Sequence, residues 1–345
     1  MNRARLILAP GGATEAERHE LIDRAGSMGF RRFAVPRDTL ASVPAGAEAI
    51  GFDGDELRLT TDPASPSIRI HSIANAEELA RLLDAGPEAG TPIAVRWTRD
   101  RVIPLENLLA NSARRRSVWV VAGAPHEVPA ALGALERGAD AVLVPISGTT
   151  DLQRLEQYAV EVSEAPGPLT SATLQRVEPV GLGDRVLVDT TSMLEPDEGL
   201  LVGSAAAFQF LVASEAEGSV HTRPRPFRVN AGAAHLYTPL ANRETRYLSE
   251  LTPGDALPVV RADGTARSVR VGRLKIERRP LVLIEARVDG RARTVFLQEA
   301  ETVRLVGPAG RIPVTELRPG NEVLGVRMAE ARHVGVVVEE RIDER

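Results

Sequence analysis

Ala131-Leu132-Gly133-Ala134-Leu135-Glu136-Arg137-Gly138-Ala139-Asp140-Ala141-Val142-Leu143-Val144 reads as a helix closed by Gly138 that returns at once into a strand. Glycine ends helices because it takes positive φ without a steric cost. The run Ala141–Val144 is apolar without alternation, as expected of a strand covered on both faces. Units of this kind recur in (β/α) barrels. Further apolar runs at Arg5–Ala9, Arg32–Val35, Ala49–Phe52, Ile68–His71, Ile93–Trp97 and Val118–Ala122 predict strands, and Glu15–Met28, Ala76–Leu83 and Glu127–Arg137 predict helices. This rhythm predicts a mostly parallel sheet. A full or partial (β/α) barrel is the first expectation, and a doubly wound open sheet is the second.

The segment Ala165-Pro166-Gly167-Pro168-Leu169-Thr170-Ser171 reads as a linker. It divides an α/β domain (1–164) from an all-β domain (172–345), expected to be a barrel or sandwich. Gly-Asp or Gly-Asn launches an apolar run three times, in Val180–Val186, Leu251–Leu257 and Leu317–Val323. Each is a turn signal, because Gly tolerates positive φ and Asp or Asn tolerates turn geometry. Ser204–Ala213 reads as a helix with Ser204 as its N-cap.

Composition narrows the function. The formal net charge is −5, which argues against a nucleic-acid partner. The chain contains no cysteine, so it has neither disulfides nor thiolate chemistry. No apolar run is long enough to cross a membrane, and a cytoplasmic protein is expected. Of the 42 basic residues only Lys275 is a lysine, and abundant Ala and Gly beside the arginines point to a GC-rich genome. Arginine cannot give up its proton near neutrality, whereas a lysine amine can act as a base or form an imine. Lys275 sits in Val271-Gly272-Arg273-Leu274-Lys275-Ile276-Glu277-Arg278-Arg279-Pro280, which alternates with period two. Arg273, Lys275, Glu277 and Arg279 therefore share one strand face. The two flanking arginines favour the neutral amine, and Glu277 opposes them.

The densest polar stretch is His221-Thr222-Arg223-Pro224-Arg225-Pro226-Phe227-Arg228-Val229-Asn230-Ala231-Gly232-Ala233-Ala234-His235. Its prolines stiffen the backbone, and Arg223, Arg225 and Arg228 offer bidentate forks to a carboxylate or phosphate. His221 and His235, with Glu106, Asp189, Glu215 and Glu277, could supply nitrogen and oxygen donors to Mn²⁺ or Zn²⁺. Neither Pro10-Gly11-Gly12 nor Gly181-Leu182-Gly183-Asp184 has the glycine spacing of a dinucleotide-binding turn.

Several motifs together resemble the class II, or archaeal-type, 3-dehydroquinate synthase family. They are Ile103-Pro104-Leu105-Glu106-Asn107-Leu108-Leu109-Ala110, Gly183-Asp184-Arg185-Val186-Leu187-Val188-Asp189-Thr190, Gly199–Ser204, Arg225–Gly232, Val271–Pro280, Ala300–Leu305 and Arg332-His333-Val334-Gly335. The resemblance implies ring closure of an anionic amino-keto sugar acid. One known reaction is an NAD-dependent deamination and closure to 3-dehydroquinate. The other is a redox-neutral, metal-dependent closure to 3-amino-4-hydroxybenzoate. Thr191 stands where the family has cysteine, Ala213 where it has histidine, and Ala205–Ala207 where it has a Ser-Ser-Arg-type run. The amino-terminal lysine-bearing helix of the family has no counterpart here.

These departures turn the expectation toward the second reaction, with the site at the domain junction. Lys275, Glu277 and His235 are the expected catalytic residues. Arg223, Arg225, Arg228, Asn230, Arg273, Glu106 and Asn107 are the expected substrate contacts. A divalent ion, Mn²⁺ by preference, is expected on Glu215, His235 and Asp189, with NAD entering only under the alternative reaction. A homo-oligomer is compatible with this reading. The rival is a small-anion-binding homologue that has lost its chemistry.

Overall fold

The computed structural model describes residues 3–12, 14–59, 67–85, 91–111, 117–135, 137–159, 165–242, 244–328, 332–333 and 336–337. The chain divides into two compact units, Met1–Val160 and Glu161–Arg345.

In the first unit eight strands close a barrel in sequence order: β1 (Leu6–Pro10), β2 (Arg32–Pro36), β3 (Glu48–Asp53), β4 (Glu56–Leu59), β5 (Ile68–Ile73), β6 (Ile93–Trp97), β7 (Val118–Val121) and β8 (Ala141–Ile146). Helices α1 (Glu15–Ser27), α2 (Ala76–Ala85), α3 (Val102–Asn111), α4 (Val128–Gly133) and α5 (Thr149–Ala159) follow β1, β5, β6, β7 and β8. Alternation along the strands divides the core in two. Leu6, Leu8, Phe33, Val35, Ile93, Val95, Val142 and Val144 pack in the layer with the helices. Ile7, Ala34, Ile50, Leu57, Ile68, Ala94, Trp119 and Leu143 form a separate cluster that fills the lumen. The barrel is therefore a packed core with no pore.

The barrel reading of the sequence is correct for seven strands, and β4 departs from it. It pairs antiparallel with both β3 and β5, because the chain reverses through a hairpin in which Gly54 takes φ +58. Helix α4 is shorter than the Glu127–Arg137 reading, ending at Gly133, and Glu136 lies outside the described residues. Gly138, at φ +61, donates its N–H to Ala134 O at 2.7 Å. A Cβ there would collide with the Leu132 carbonyl. Gly138→Ala should therefore destabilise this unit by about 2 kcal/mol or more, the left-handed penalty plus a backbone clash. Tryptophan fluorescence during urea unfolding checks this, since Trp97 and Trp119 both lie in the first unit.

In the second unit a sheet of 12 strands carries a large apolar core and a smaller separate cluster that includes Leu201, Leu211, Val260 and Val326. The strands are β9 (Leu169–Thr190), β10 (Glu198–Ala205), β11 (Phe208–Ala213), β12 (Arg228–Ala233), β13 (Tyr237–Pro239), β14 (Thr245–Tyr247), β15 (Ala256–Arg261), β16 (Ala266–Val288), β17 (Arg291–Gln298), β18 (Arg304–Gly307), β19 (Gly310–Pro313) and β20 (Glu322–Arg327). A further short pair joins Arg332–His333 to Val336–Val337, while Val334 and Gly335 lie outside the described residues. The long strands β9 and β16 run antiparallel from Val271↔Thr190 to Arg287↔Thr173. Strand β15 joins the start of β16 and β17 its end, while β20 joins the start of β9 and β12 its end.

The helix expected over Ser204–Ala213 is a β-hairpin instead, with β10 ending at Ala205 and β11 beginning at Phe208. Every side chain of β11 is buried, and an apolar run covered on both faces has no period that separates helix from strand. Two of the three Gly-Asp/Asn elements are turns that launch strands. Asp255 accepts from Thr252 N at 2.7 Å ahead of β15, and Asn321 accepts from Arg318 N at 2.8 Å ahead of β20. The element at 180–186 instead lies inside β9, where Gly181 takes φ +88.

Candidate active site

Registers in the second unit bring one set of polar residues onto a single sheet face. Opposite Arg185, Leu187 and Asp189 of β9 stand Glu277, Lys275 and Arg273 of β16. On the other side of β9, Arg228 faces Asp189 and Asn230 faces Leu187. Directly opposed residues point the same way, so the face expected of β16 forms and extends across three strands. The alternate residues Val186, Val188 and Val229 bury into the core behind it.

Two carboxylates organise this face. Glu277 Oε1 accepts from Lys275 Nζ at 2.8 Å and from Arg279 Nη2 at 3.2 Å, while Oε2 accepts from Arg185 Nη2 at 2.7 Å. The Lys275 hydrogen bond, with the charges of Arg279 and Arg185, holds the Glu277 carboxyl below the usual carboxylate range. Lys275 keeps 53% of its side chain exposed, so its amine is both oriented and reachable. Arg185 is its opposite, with 4% exposed. Burial lowers its pKa and Glu277 opposes that shift.

The second carboxylate, Asp189, receives Arg228 Nε at 2.7 Å and Nη2 at 3.0 Å, and also Arg273 Nε at 2.9 Å and Nη2 at 2.5 Å. Burial alone would raise the Asp189 pKa, but the hydrogen bonds from Arg228 and Arg273 outweigh it and lower the value. The Arg228 pKa moves up in return, chiefly through the same hydrogen bond to Asp189.

Arg228 thus spends its fork on Asp189 and buttresses the face, where the sequence reading made it an anion clamp. Arg273 spends part of its guanidinium the same way but stays 64% exposed. Arg225 pairs with Glu215 at 3.4 Å and is 43% exposed, while Arg223 is exposed on the loop before β12. Asn230 Nδ2 donates to Gln298 Oε1 at 2.9 Å, and its buried Oδ1 has no partner.

The expected metal donors do not form a ligand set. Among the described residues no three His, Asp or Glu side chains are placed to hold a metal ion. Both oxygens of Asp189 are occupied by guanidinium groups. Glu215 is buried and accepts from Thr302 Oγ1 at 3.3 Å as well as from Arg225. His235 follows β12 with its ring edge-to-face on Phe296 at 5.2 Å, and partial desolvation lowers its pKa. Pro10-Gly11-Gly12, at the end of β1, leads toward α1. There the capping box of α1 already uses the helix end: Glu17 N donates to Thr14 Oγ1 at 3.2 Å, and the Glu17 carboxylate accepts from Thr14 N at 3.1 Å.

Glu106 and Asn107 belong to the first unit, on α3. Asn107 lines a cleft of about 520 Å³ with Trp97, Arg101, Ile103 and Pro104. Glu106 is half-buried and outside that lining. Arg185 is the residue the sequence reading missed. It stands inside a quoted motif, and period-two spacing from Asp189 already placed it on the same face.

The 3-dehydroquinate synthase II N-terminal domain profile matches residues 6–159, and the C-terminal domain profile matches residues 171–345. The chain is 40% identical over 332 residues to a 3-dehydroquinate synthase of Archaeoglobus fulgidus, covering 95% of this chain and 96% of that protein. The chain belongs to the 3-dehydroquinate synthase II family. Two further relatives show the same likeness. A 3-dehydroquinate synthase of Methanothrix thermoacetophila is 46% identical over 247 residues, 71% of this chain and 68% of that protein. A 3-dehydroquinate synthase homolog of Persephonella marina is 40% identical over 279 residues, 81% of this chain and 82% of that protein. Membership makes the chain an enzyme of the 3-dehydroquinate synthase II type, a cyclase. Among the described residues no helix is long and apolar enough to cross a membrane.

Proposed function

We propose that this enzyme closes a carbon ring on an anionic seven-carbon amino-keto sugar acid, with the Lys275 amine as its reacting base or nucleophile. The observation that supports this most directly is the Lys275–Glu277 pair at 2.8 Å, exposed on a face rich in arginine. As a base, the amine takes a proton from the carbon next to the substrate ketone. As a nucleophile, it adds to that ketone and water leaves, and the resulting iminium acidifies the same C–H. Glu277 orients the amine in either route. Arg273, Arg225 and the loop residue Arg223 are exposed cations available to the substrate carboxylate or phosphate. No step is assigned to a metal ion, because Asp189, Glu215 and His235 do not fit one.

The first product reading is 3-amino-4-hydroxybenzoate, formed from the amino-keto acid phosphate by loss of phosphate and water with no net oxidation. Thr191, Ala205–Ala207 and Ala213, which depart from the family pattern, favour it. The second is 3-dehydroquinate with NAD as hydride acceptor, favoured by the names of the relatives. Incubating the purified chain, in buffer containing Mn²⁺, with an amino-keto heptonate phosphate and separately with its 7-deoxy counterpart, each with and without NAD, separates them. An aromatic amine chromophore without NAD is expected. Product only with NAD would move the assignment to 3-dehydroquinate, and no product under any condition would remove ring closure altogether. Borohydride quenching during turnover should add substrate mass to Lys275 if the imine route operates and leave it unmodified if the amine acts as a base.

A further inference from the structure

We propose that Arg185 is the positioning residue of this face: it holds Glu277 by one oxygen and so decides how much of that carboxylate's charge reaches Lys275. The proposal rests on Lys275 being the reacting amine. Arg185 is the most deeply buried of the ion-paired cations described here, at 4% exposed against 12% for Arg228 and 17% for Arg32. It stands directly opposite Glu277 across the β9–β16 ladder, so the backbone register fixes the pair before any side chain moves. Its Nη2 takes Glu277 Oε2 at 2.7 Å, which leaves Oε1 to Lys275 and Arg279. The Arg185 Nε is buried without a partner, so the Glu277 contact anchors the guanidinium.

Burial strengthens the Arg185–Glu277 attraction, while Lys275 and Arg279 meet the same carboxylate near water, where screening weakens each pair. Arg185 therefore fixes Glu277 from its buried side through Oε2, while Lys275 and Arg279 share Oε1. With Arg185 gone, the carboxylate turns its full charge on the exposed cations, and the ammonium form of Lys275 is held more firmly. With Glu277 gone, the ammonium is released. The two changes act in opposite directions on the same amine, and the first acts only through the second.

A single lysine makes this measurable without substrate. The full-length chain is treated with limiting acetic anhydride at fixed pH, with N-acetyl-lysine amide as internal competitor, and acylation of Lys275 is read by peptide mass spectrometry. Glu277→Gln should raise the rate several-fold and Arg185→Gln should lower it several-fold. In the Glu277→Gln background, Arg185→Gln should change little. An unchanged rate in Arg185→Gln, or an equal fall in both backgrounds, overturns the proposal. Should Arg185→Gln not fold, the double variant, which removes both charges, is compared with Glu277→Gln alone. Equal rates support action through Glu277, and a slower double variant refutes it. Because no turnover is read, a failure of the ring-closure assignment would show separately, as absent product with these rates intact.

Discussion

Lys275→Arg is expected to lower turnover by about 100-fold or more while leaving the fold intact, since positioned proton transfer contributes on the order of 10²–10⁴-fold. The substitution keeps a cation beside Glu277 and can keep an ion pair there, so a purely electrostatic role for Lys275 would survive it. What it removes is the capacity to exist as a neutral amine, which a guanidinium lacks near neutral pH. The side chain is half-exposed and lies on a strand whose inner neighbours are already in the core, so little packing is lost. Circular dichroism should match the parent chain. Initial rates on the amino-keto substrate provide the measurement. A Lys275→Arg enzyme with parental rates would take the amine out of the chemistry and leave the lone lysine as an ordinary surface cation.

What could be read from the sequence follows from which interactions are local. The mostly parallel barrel was legible because seven of its strands carry their own apolar runs and α1, α2 and α4 their own periods, whereas α3 and α5 were not read. The β4 reversal was not marked, although Gly54 supplies a turn signal between Asp53 and Asp55. The Lys275 face was legible because alternation fixes the side of a strand without knowledge of its neighbours. Its partners were less so. Arg228 reads as an anion clamp until register sets it opposite Asp189, and Arg185 and Glu277, 92 residues apart, meet only through pairing of β9 with β16. The metal set failed for the same reason: Asp189, Glu215 and His235 have suitable chemistry and no common point. Ser204–Ala213 failed because burial on both faces erases the pattern that periodicity needs.

Asp189→Ala should destabilise the second unit by about 3 kcal/mol, the lower end for breaking a buried ion pair by removing one partner. The low end applies because only one of its two cations is trapped. Arg228 has 12% of its side chain exposed and cannot recover full hydration, whereas Arg273 is 64% exposed and turns to water. The asymmetry gives an internal control, since Arg273→Ala removes an exposed partner and should cost less than about 1 kcal/mol. Urea unfolding followed by far-ultraviolet circular dichroism reads the β-rich unit, where tryptophan fluorescence cannot, both tryptophans being in the first unit. The same carboxylate sets a pH dependence. Asp189 titrates lower in the folded chain than in the unfolded one, so the unfolded state takes up its proton first as pH falls. The stabilisation is complete above the ordinary aspartate value of about 4 and is lost as pH drops below it toward the depressed folded value. Asp189→Asn should therefore flatten the acid limb of the stability profile as well as lower it at neutral pH. Equal acid sensitivity in the parent and in Asp189→Asn would show that the Arg228–Asp189–Arg273 clasp contributes little to folding.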